Sequence, residues 1–397
     1  GARLSIPNRT IIPYLYPLPA VGLLFATLFN LETGLIFGLA ISLLAAYGLP
    51  NTLDLMPYYM LATLTGVLVL GPARRFWAFF RAGIAIALAG IAIILAFRLP
   101  FTQLDWLGIV TLLAAALFNG LASTSITLLL QYFLAQILGL TTPLQLLEIS
   151  RPDFPLLQYF LRNAPGTYQH SLQVANLAEQ AAENIGADAL LTRVGALFHD
   201  VGKAMNPTFF IENQAHGSLN THDDLDPAES SSVITQHVLD GIKLARKHRL
   251  PRRLDDFILE HHGTMLTRYQ YNKALEVAKG DESQVDDEKF QYPGPSPRSR
   301  ETALLMLADG TEARVRATRP SNEEELRKII RSTIEHVQQS GQLDNTQLTL
   351  NDLNKIEQSF VTTLRGSFHP RIEYPKAKET PTAAEDVPTT PSIETKP

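Results

Sequence analysis

The stretch DALLTRVGALFHDVGK, residues 188–203, predicts a short amphipathic helix that closes with a histidine and an aspartate. Its apolar positions recur at three- and four-residue spacing, at Leu191, Val194 and Leu197 or Phe198. His199 and Asp200 follow directly, just before Gly202. A single His-Asp pair is more often a surface dipeptide or a satisfied core group than a metal site. The interpretation of this pair therefore depends on whether other ligands lie along the same chain.

The charged residues divide the chain of 397 residues into two unlike parts. The averages, a net charge of -5 and 46% hydrophobic residues, resemble those of a soluble protein. Only ten charged side chains lie within residues 1–150, however, and the first lysine is Lys203. This break in composition predicts a domain boundary near residue 150. Because the chain has no cysteine, disulfides and thiolate ligands are excluded, which leaves imidazole and carboxylate as metal ligands.

The first part is predicted to be a transmembrane helical region, residues 1–140. About 20 apolar residues cross the roughly 30 Å hydrocarbon core of a bilayer, and this part contains several long runs without charge. We expect about five spans, at 11–29, 34–49, 55–71, 76–97 and 106–136. A large soluble helical core is the weaker alternative, because such a core would still need charged helix faces.

The count of five spans depends on whether 106–140 is one long helix or two short ones. If the polar C-terminal half is cytoplasmic and 106–140 is one helix, the loop with Arg74 and Arg75 also lies inside, as the positive-inside rule prefers. Arg81 would then snorkel to the same face. Two arginines before the first span lie outside in this arrangement, against the rule. No span carries an ionisable residue near its middle, so anchoring or signalling fits better than transport.

From about residue 150 the sequence predicts capped amphipathic helices and almost no alternating strand, so this part is expected to be all-α. Five successive helices each carry a candidate metal ligand. The candidates are, in chain order, His170, His199 and Asp200, His237, His261 and His262, and Asp309. Each has an ordinary explanation when taken alone, such as a cation favoured at a helix C-terminus. Together they supply seven nitrogen or oxygen ligands, enough for two metal ions with positions left open for water, and Asp200 is able to bridge.

The other five histidines have no such context, and we expect them to be surface residues: His216, His222, His248, His336 and His369. Residues 212–230 are polar and acidic and are expected to loop over or beside the metal site. Residues 279–300 are predicted to form a surface loop. Residues 321–366 are predicted to be helical and to close the core. No long basic patch or aromatic platform indicates a nucleic-acid polymer as partner.

Several blocks around these ligands resemble the cytoplasmic domain of bacterial seven-transmembrane HD receptors, within the HD superfamily of metal-dependent phosphohydrolases. The blocks are APGTYQHSLQVANLAE (164–179), GALFHDVGK (195–203), FFIENQ (209–214), EHHGT (260–264), YQYNKALE (269–276) and YPGPSPRSRETALLMLAD (292–309). The likeness covers about 11–365. Full-length family members are expected to carry a first membrane helix, an extracellular sensory domain and further spans before the point that corresponds to residue 1 of this sequence. Gly310 also stands where the family more often has serine.

The resemblance implies a membrane-bound phosphodiesterase that hydrolyses cyclic di-AMP to linear pApA. It places one metal on His170, His199, Asp200 and Asp309, and the other on Asp200, His237, His261 and His262. Two metal ions would neutralise the phosphodiester and lower the pKa of a bridging water. Mn²⁺ or Fe²⁺ is the expected metal for this donor set, and Zn²⁺ is the alternative. Asp200 and Lys203 are the predicted catalytic residues, with the Lys203 ammonium on a phosphate oxygen; a solvated lysine at the helix end is the alternative.

Two other functions stay open at this stage. A related family opens cyclic di-GMP, but its Gly-Tyr-Pro segment is absent after His262, where the chain reads Gly263 to Leu266. A membrane receptor that binds the nucleotide without turnover is the non-enzymatic alternative, although all seven ligands are present. A nucleotide monophosphatase or (p)ppGpp hydrolase would not be expected behind this membrane region.

The predicted organisation is therefore a membrane region at 1–140, a linker at 141–165, an HD domain at 166–370 and a disordered tail at 371–397. The expected location is the bacterial inner membrane, as a multi-pass protein with the HD domain in the cytoplasm. The lipid bilayer and a cyclic dinucleotide are the expected partners.

Overall fold

The computed structural model describes residues 5–6, 9–47, 53–73, 75–100, 105–214, 221–222 and 224–366. These residues form sixteen α-helices and one small hairpin, so the all-α prediction is confirmed. The hairpin pairs β1 (Ser5–Ile6) with β2 (Arg9–Thr10) in antiparallel register. The predicted tail at 371–397 lies outside the described residues.

The N-terminal part consists of six helices: α1 (Ile12–Leu15), α2 (Pro19–Leu28), α3 (Leu31–Ala46), α4 (Leu55–Leu70), α5 (Phe76–Arg98) and α6 (Trp106–Leu138). Of the described helices, α5 and α6 are long and apolar enough to cross a membrane. The apolar segments Ile12–Leu28, Leu31–Ala46 and Leu55–Leu70 are shorter. Residues 106–138 form a single helix. The number of spans stays a prediction.

Small residues set the spacing of α5 and α6, which pack against each other. A Cβ added at Gly120 of α6 would lie 2.2 Å from the carbonyl oxygen of Gly83 in α5, so only glycine allows the backbones to approach this closely. At one end of these helices Asp54 accepts hydrogen bonds from Tyr14 Oη (2.5 Å) and Arg98 Nη2 (3.0 Å). Asp54 and Arg98 thus lie at helix ends, and Arg81 lies in the second turn of α5.

The C-terminal part is a helical domain with one apolar core. Its helices are α7 (Pro143–Ile149), α8 (Pro155–Asn163), α9 (Pro165–Ile185), α10 (Ala189–Phe198), α11 (Pro227–Lys247), α12 (Arg253–Glu260), α13 (Arg268–Val277), α14 (Arg300–Thr318), α15 (Glu323–Gln339) and α16 (Leu350–Arg365). Short 3-10 turns at Val201–Met205, Pro207–Phe209 and Ile211–Asn213 connect α10 to α11. Residues 143–163, expected to be linker, form α7 and α8 and contribute Leu156 and Phe160 to this core.

Two glycines bring the ligand-bearing helices together. A Cβ at Gly195 of α10 would lie 2.2 Å from the ring of Phe257 in α12. A Cβ at Gly202 would lie 1.9 Å from the backbone oxygen of His237 in α11. Because no larger residue fits at either point, α11 and α12 pack directly against the segment that carries His199 and Asp200.

Candidate metal centre

The seven predicted ligands converge on one point between α9, α10, α11, α12 and α14. His170 lies near the start of α9, and His199 and Asp200 lie at the end of α10. His237 lies in the middle of α11, His261 and His262 directly follow α12, and Asp309 lies in the middle of α14. All are buried except His262, which is partly exposed. Asp309 lies within α14, which continues for nine more residues and ends at Thr318.

The seven side chains divide into two groups with metal-ligand spacing. In one group, Asp200, His237, His261 and His262 each offer an atom within 4.8 Å of the others. In the second, His170, His199 and Asp309 do the same.

Asp200 lies between the two groups and faces both. Its Oδ1 is 3.3 Å from His237 Nε2 and 3.6 Å from His261 Nε2. Its Oδ2 is 3.2 Å from His199 Nε2. On the far side, Asp309 Oδ1 lies 2.9 Å from His170 Nε2. A carboxylate that presents one oxygen to each group has the arrangement of a bridging ligand.

Backbone carbonyls orient three of the imidazoles in the same way. The Nδ1–H groups of His199, His237 and His261 donate to the carbonyl three residues earlier, at 2.7, 2.6 and 2.8 Å. Since a carbonyl only accepts, these bonds place the proton on Nδ1 and leave the Nε2 lone pair directed at the centre. Orientation of this kind is usual for metal-binding histidines.

His170 is oriented by a side chain instead. Its Nδ1–H donates to Glu312 Oε2 at 2.5 Å, and both side chains are buried. Glu312 was not predicted from the sequence. The available signal was its spacing, because it follows Asp309 by three residues on α14 and so shares a helix face with it.

Two buried polar atoms of the centre lack a hydrogen-bond partner within the described part of the chain: His199 Nε2 and Asp200 Oδ1. Leaving such atoms unsatisfied costs about 1–3 kcal/mol each. Both atoms point into the cluster and are donor atoms that divalent metals accept. The residues therefore fit the two metal ions that the fold implies.

The carboxylates govern the protonation of the metal-free centre. Burial by itself would lower the pKa of His199, but Asp200 and Asp309 outweigh it and raise the pKa to about 10. Burial and the neighbouring His199 and His237 lower the pKa of His261 to about 4, although Asp200 opposes this shift. At neutral pH the metal-free cluster thus carries a second proton on His199, at Nε2 facing Asp200, which a metal at this position would displace, while the imidazole of His261 is neutral.

Lys203 is an integral part of the centre and not a solvated lysine at a helix end. Its Nζ lies 2.8 Å from Asp200 Oδ2 and 3.3 Å from Glu212 Oε1. Burial alone would lower the pKa of Lys203, but these two carboxylates raise it above its usual value, so the side chain stays cationic. Glu212 in turn accepts a hydrogen bond from Thr167 Oγ1 (2.9 Å) at the start of α9.

Glu212 belongs to the 212–230 segment that was expected beside the site, of which 215–220 and 223 lie outside the described residues. Its own role was not predicted.

The structure departs from two expectations about non-ligand residues. His222, expected on the surface, is only 9% exposed and bonds to Ser230 Oγ (2.8 Å) and the Phe209 carbonyl (2.6 Å), so that prediction is wrong. Residues 279–300 are not all surface, because Tyr292 packs on the His262 ring with centroids 4.1 Å apart.

His248 and His336 are partly buried, and His216 and His369 lie outside the described residues.

Comparison with known proteins agrees with this geometry. Residues 2–142 match the family described as "7TM receptor with intracellular HD hydrolase", and 167–314 match the HD domain. The crystal structure of the Listeria monocytogenes phosphodiesterase PgpH HD domain in complex with cyclic-di-AMP is 38% identical. Its match covers 55% of this chain and all of that one, with a TM-score of 0.51. The chain belongs to the family of 7TM receptors with an intracellular HD hydrolase domain.

Longer relatives in this family are the cyclic-di-AMP phosphodiesterases PgpH of Bacillus subtilis and L. monocytogenes. They are 38% and 32% identical over 92% and 95% of this chain. The chain spans about half the length of these relatives, 52% in both cases.

Proposed function

We propose that this chain is a membrane-bound, metal-dependent phosphodiesterase that hydrolyses cyclic di-AMP to linear pApA. The observation that carries the proposal is the pair of ligand groups that share Asp200, in a domain similar to one crystallised with cyclic-di-AMP. In this proposal one metal is held by His170, His199, Asp200 and Asp309. The other is held by Asp200, His237, His261 and His262.

The ligand set supports Mn²⁺ or Fe²⁺ as the metal, because imidazole and carboxylate are mixed and thiolate is absent. Two such ions, when bound, supply positive charge for the phosphodiester and a nucleophile from water at neutral pH.

The chain's own residues hold and orient these components. Asp200 links the two groups, while Lys203 carries a fixed positive charge 2.8 Å from it. A phosphodiester that displaces part of the Lys203–Asp200 contact gains an ammonium donor for one of its oxygens. Glu212 holds that ammonium in place through its 3.3 Å contact, and so restricts where the phosphate can bind.

The membrane part fits the same proposal. Five spans at 11–29, 34–49, 55–71, 76–97 and 106–136 place the end of α6 and the HD domain in the cytoplasm, on the side of Arg74 and Arg75. Fusing a reporter active on only one side of the membrane to each loop tests this topology. An extracellular signal from the C-terminus contradicts it.

Product analysis tests the reaction. The full chain in detergent is incubated with Mn²⁺ and either cyclic di-AMP or cyclic di-GMP, and products are separated by liquid chromatography with mass detection. We expect pApA from cyclic di-AMP, and none from the His199→Ala/Asp200→Ala double variant. His248→Ala is the matched control, since it alters a histidine outside the cluster and should leave turnover unchanged.

Two outcomes contradict the proposal. A higher kcat/KM for cyclic di-GMP overturns the substrate, and tight binding of cyclic di-AMP without turnover indicates a receptor instead of an enzyme.

A further inference from the structure

A cavity of about 400 Å³ opens directly beside the metal centre. It shares His261, His262 and Asp309 with the centre and extends between the start of α13, α14 and α15. Small-molecule sites commonly have volumes of about 300–1,000 Å³. The space is therefore large enough for a nucleoside group next to a phosphodiester bound at the ligands.

The mouth of this cavity carries two arginines that lack acidic partners. Arg268 and Arg314 are exposed and line it, and Arg314 Nη1 donates to Thr333 Oγ1 at 3.0 Å. Over the described ranges of the chain, neither has a carboxylate within ion-pair distance. Several arginines of the domain do have one, such as Arg193 with Glu179 at 2.6 Å, whereas others among the described residues, such as Arg252, do not. What sets Arg268 and Arg314 apart is their place at a cavity mouth, where guanidinium groups without a carboxylate partner favour a phosphate ligand.

The two arginines act on the same region of the cavity. His336, also in the lining, has its pKa lowered by partial burial, and further by Arg268 and then by Arg314. Both guanidinium groups therefore place positive charge near one point of the wall. Arg314 follows Asp309 by five residues on α14, which is about 7.5 Å along the helix axis. The positive region thus lies beyond the metal ligands and not on top of them.

Gln270 supplies a polar group to the wall of the cavity. The residue is 7% exposed and lines the cavity, and its side-chain amide has no hydrogen-bond partner among the residues that the structure describes. Because its amide atoms are not sealed off as buried, unsatisfied groups, they are open to a ligand in the cavity. An amide offers one donor and one acceptor side by side, which matches the N6 and N7 edge of adenine. The same edge of guanine presents two acceptors and matches poorly.

The remaining lining is suited to the face of a nucleobase. Met265, Leu266, Met306 and Tyr292 provide apolar and aromatic surface on the wall next to His262. Bases stack readily on such side chains, with about 1–3 kcal/mol per base where the surface is aromatic.

We propose that this cavity binds the nucleotide of the substrate that is not being cleaved. Arg268 and Arg314 hold its phosphate, and the Gln270 amide recognises its adenine. This inference rests on the proposed function, since it assigns the second half of a cyclic dinucleotide whose first phosphate lies at the ligands. It assigns the preference for adenine over guanine to a residue outside the metal centre.

Kinetics with two substrates test the phosphate contact. Bis(4-nitrophenyl) phosphate is a phosphodiester without a second phosphate or a purine, so it reports the metal centre alone. For Arg268→Gln/Arg314→Gln in the full chain with Mn²⁺, we expect at least a tenfold higher KM for cyclic di-AMP. The kcat and the cleavage of bis(4-nitrophenyl) phosphate should stay within twofold. Arg252→Gln, an exposed arginine at the start of α12, is the matched control.

Base preference tests Gln270. We expect Gln270→Leu to lower the ratio of kcat/KM for cyclic di-AMP over cyclic di-GMP at least fivefold. Gln270→Met keeps more of the side-chain length and gives the same measurement if the leucine variant does not fold. An unchanged ratio in the folded variant overturns the role of Gln270. An unchanged KM in the double arginine variant, or an equal loss with both substrates, overturns the role of the arginines.

Calorimetric binding of cyclic di-AMP separates this inference from the proposed function. If the wild type binds the nucleotide but does not hydrolyse it, and the arginine variant binds at least tenfold more weakly, the cavity assignment stands and the enzymatic function fails. If the wild type hydrolyses cyclic di-AMP and all variants match it, the function stands and the cavity assignment fails. If the wild type neither binds nor hydrolyses cyclic di-AMP, both fail.

Discussion

Replacing Glu312 by glutamine should weaken one metal position and leave the other intact. Glu312 is buried and accepts the Nδ1–H of His170 at 2.5 Å, so its charge supports the imidazole that faces Asp309. The change Glu312→Gln keeps the shape and an acceptor oxygen but removes the charge. The position with His170, His199 and Asp309 should therefore lose affinity, while the one with His237 and His261 should not.

The size of the effect follows from the hydrogen bond. A bond to a charged group contributes about 1.5–3 kcal/mol net and a neutral one about 1 kcal/mol, so the substitution costs about 0.5–2 kcal/mol of binding free energy. Since 1.4 kcal/mol is a factor of ten, Mn²⁺ affinity should fall by a factor between about 2 and 30. Arg316 Nε also lies 3.6 Å from Glu312, but its side chain is 44% exposed and regains water, so this loss adds little.

The assay is titration of the metal-free full chain with Mn²⁺ in competition with a chelator, with the melting temperature followed in parallel. Glu335→Gln, an exposed glutamate on α15, is the matched control. The reasoning is refuted if both metal positions keep their affinity within twofold. It is also refuted if both weaken together with a large drop in the melting temperature of the metal-free protein, because Glu312 would then support the fold and not His170.

Three further predictions concern the centre and its packing. Lys203→Gln should lower kcat for cyclic di-AMP about 100-fold, as expected for loss of one charged donor. It should not weaken Mn²⁺ binding, because it removes a cation beside Asp200. Weaker Mn²⁺ binding by the variant in the titration would contradict this role of Lys203. Metal binding should release protons at pH 7, because the pKa of His199 is raised to about 10 in the metal-free centre and ligation needs the neutral ring. Mn²⁺ affinity should therefore rise from pH 6 to 9. Calorimetry in two buffers with different ionisation enthalpies measures the released protons, and a value of zero contradicts the prediction. Gly202→Ala should destabilise the domain by about 1–3 kcal/mol, since the new Cβ meets the His237 oxygen at 1.9 Å; an unchanged urea midpoint would show that α11 moves freely there.

The candidate metal ligands could be picked out from the sequence because each lies on, or directly beyond the end of, a helix with a clear apolar period. The apolar spacing of 188–203 fixes a helix that ends at His199 and Asp200, and the structure has α10 there. The same local periodicity located the helices that carry His170, His237 and Asp309. Helix periodicity is a property of neighbouring residues, so it needs no knowledge of the tertiary fold.

Contacts between distant segments were decided only by the tertiary structure. His170 meets Asp309 and Glu312 across 139 and 142 residues of chain, and nothing local to either segment predicts that pairing. Glu212 reaches Lys203 through a run of 3-10 turns, and His222 becomes buried against Ser230, where composition alone suggested surface. The sequence by itself thus determined which side chains are present and which helices carry them. Packing at Gly195 and Gly202 decided how those helices meet, because close approach depends on the shape of both partners.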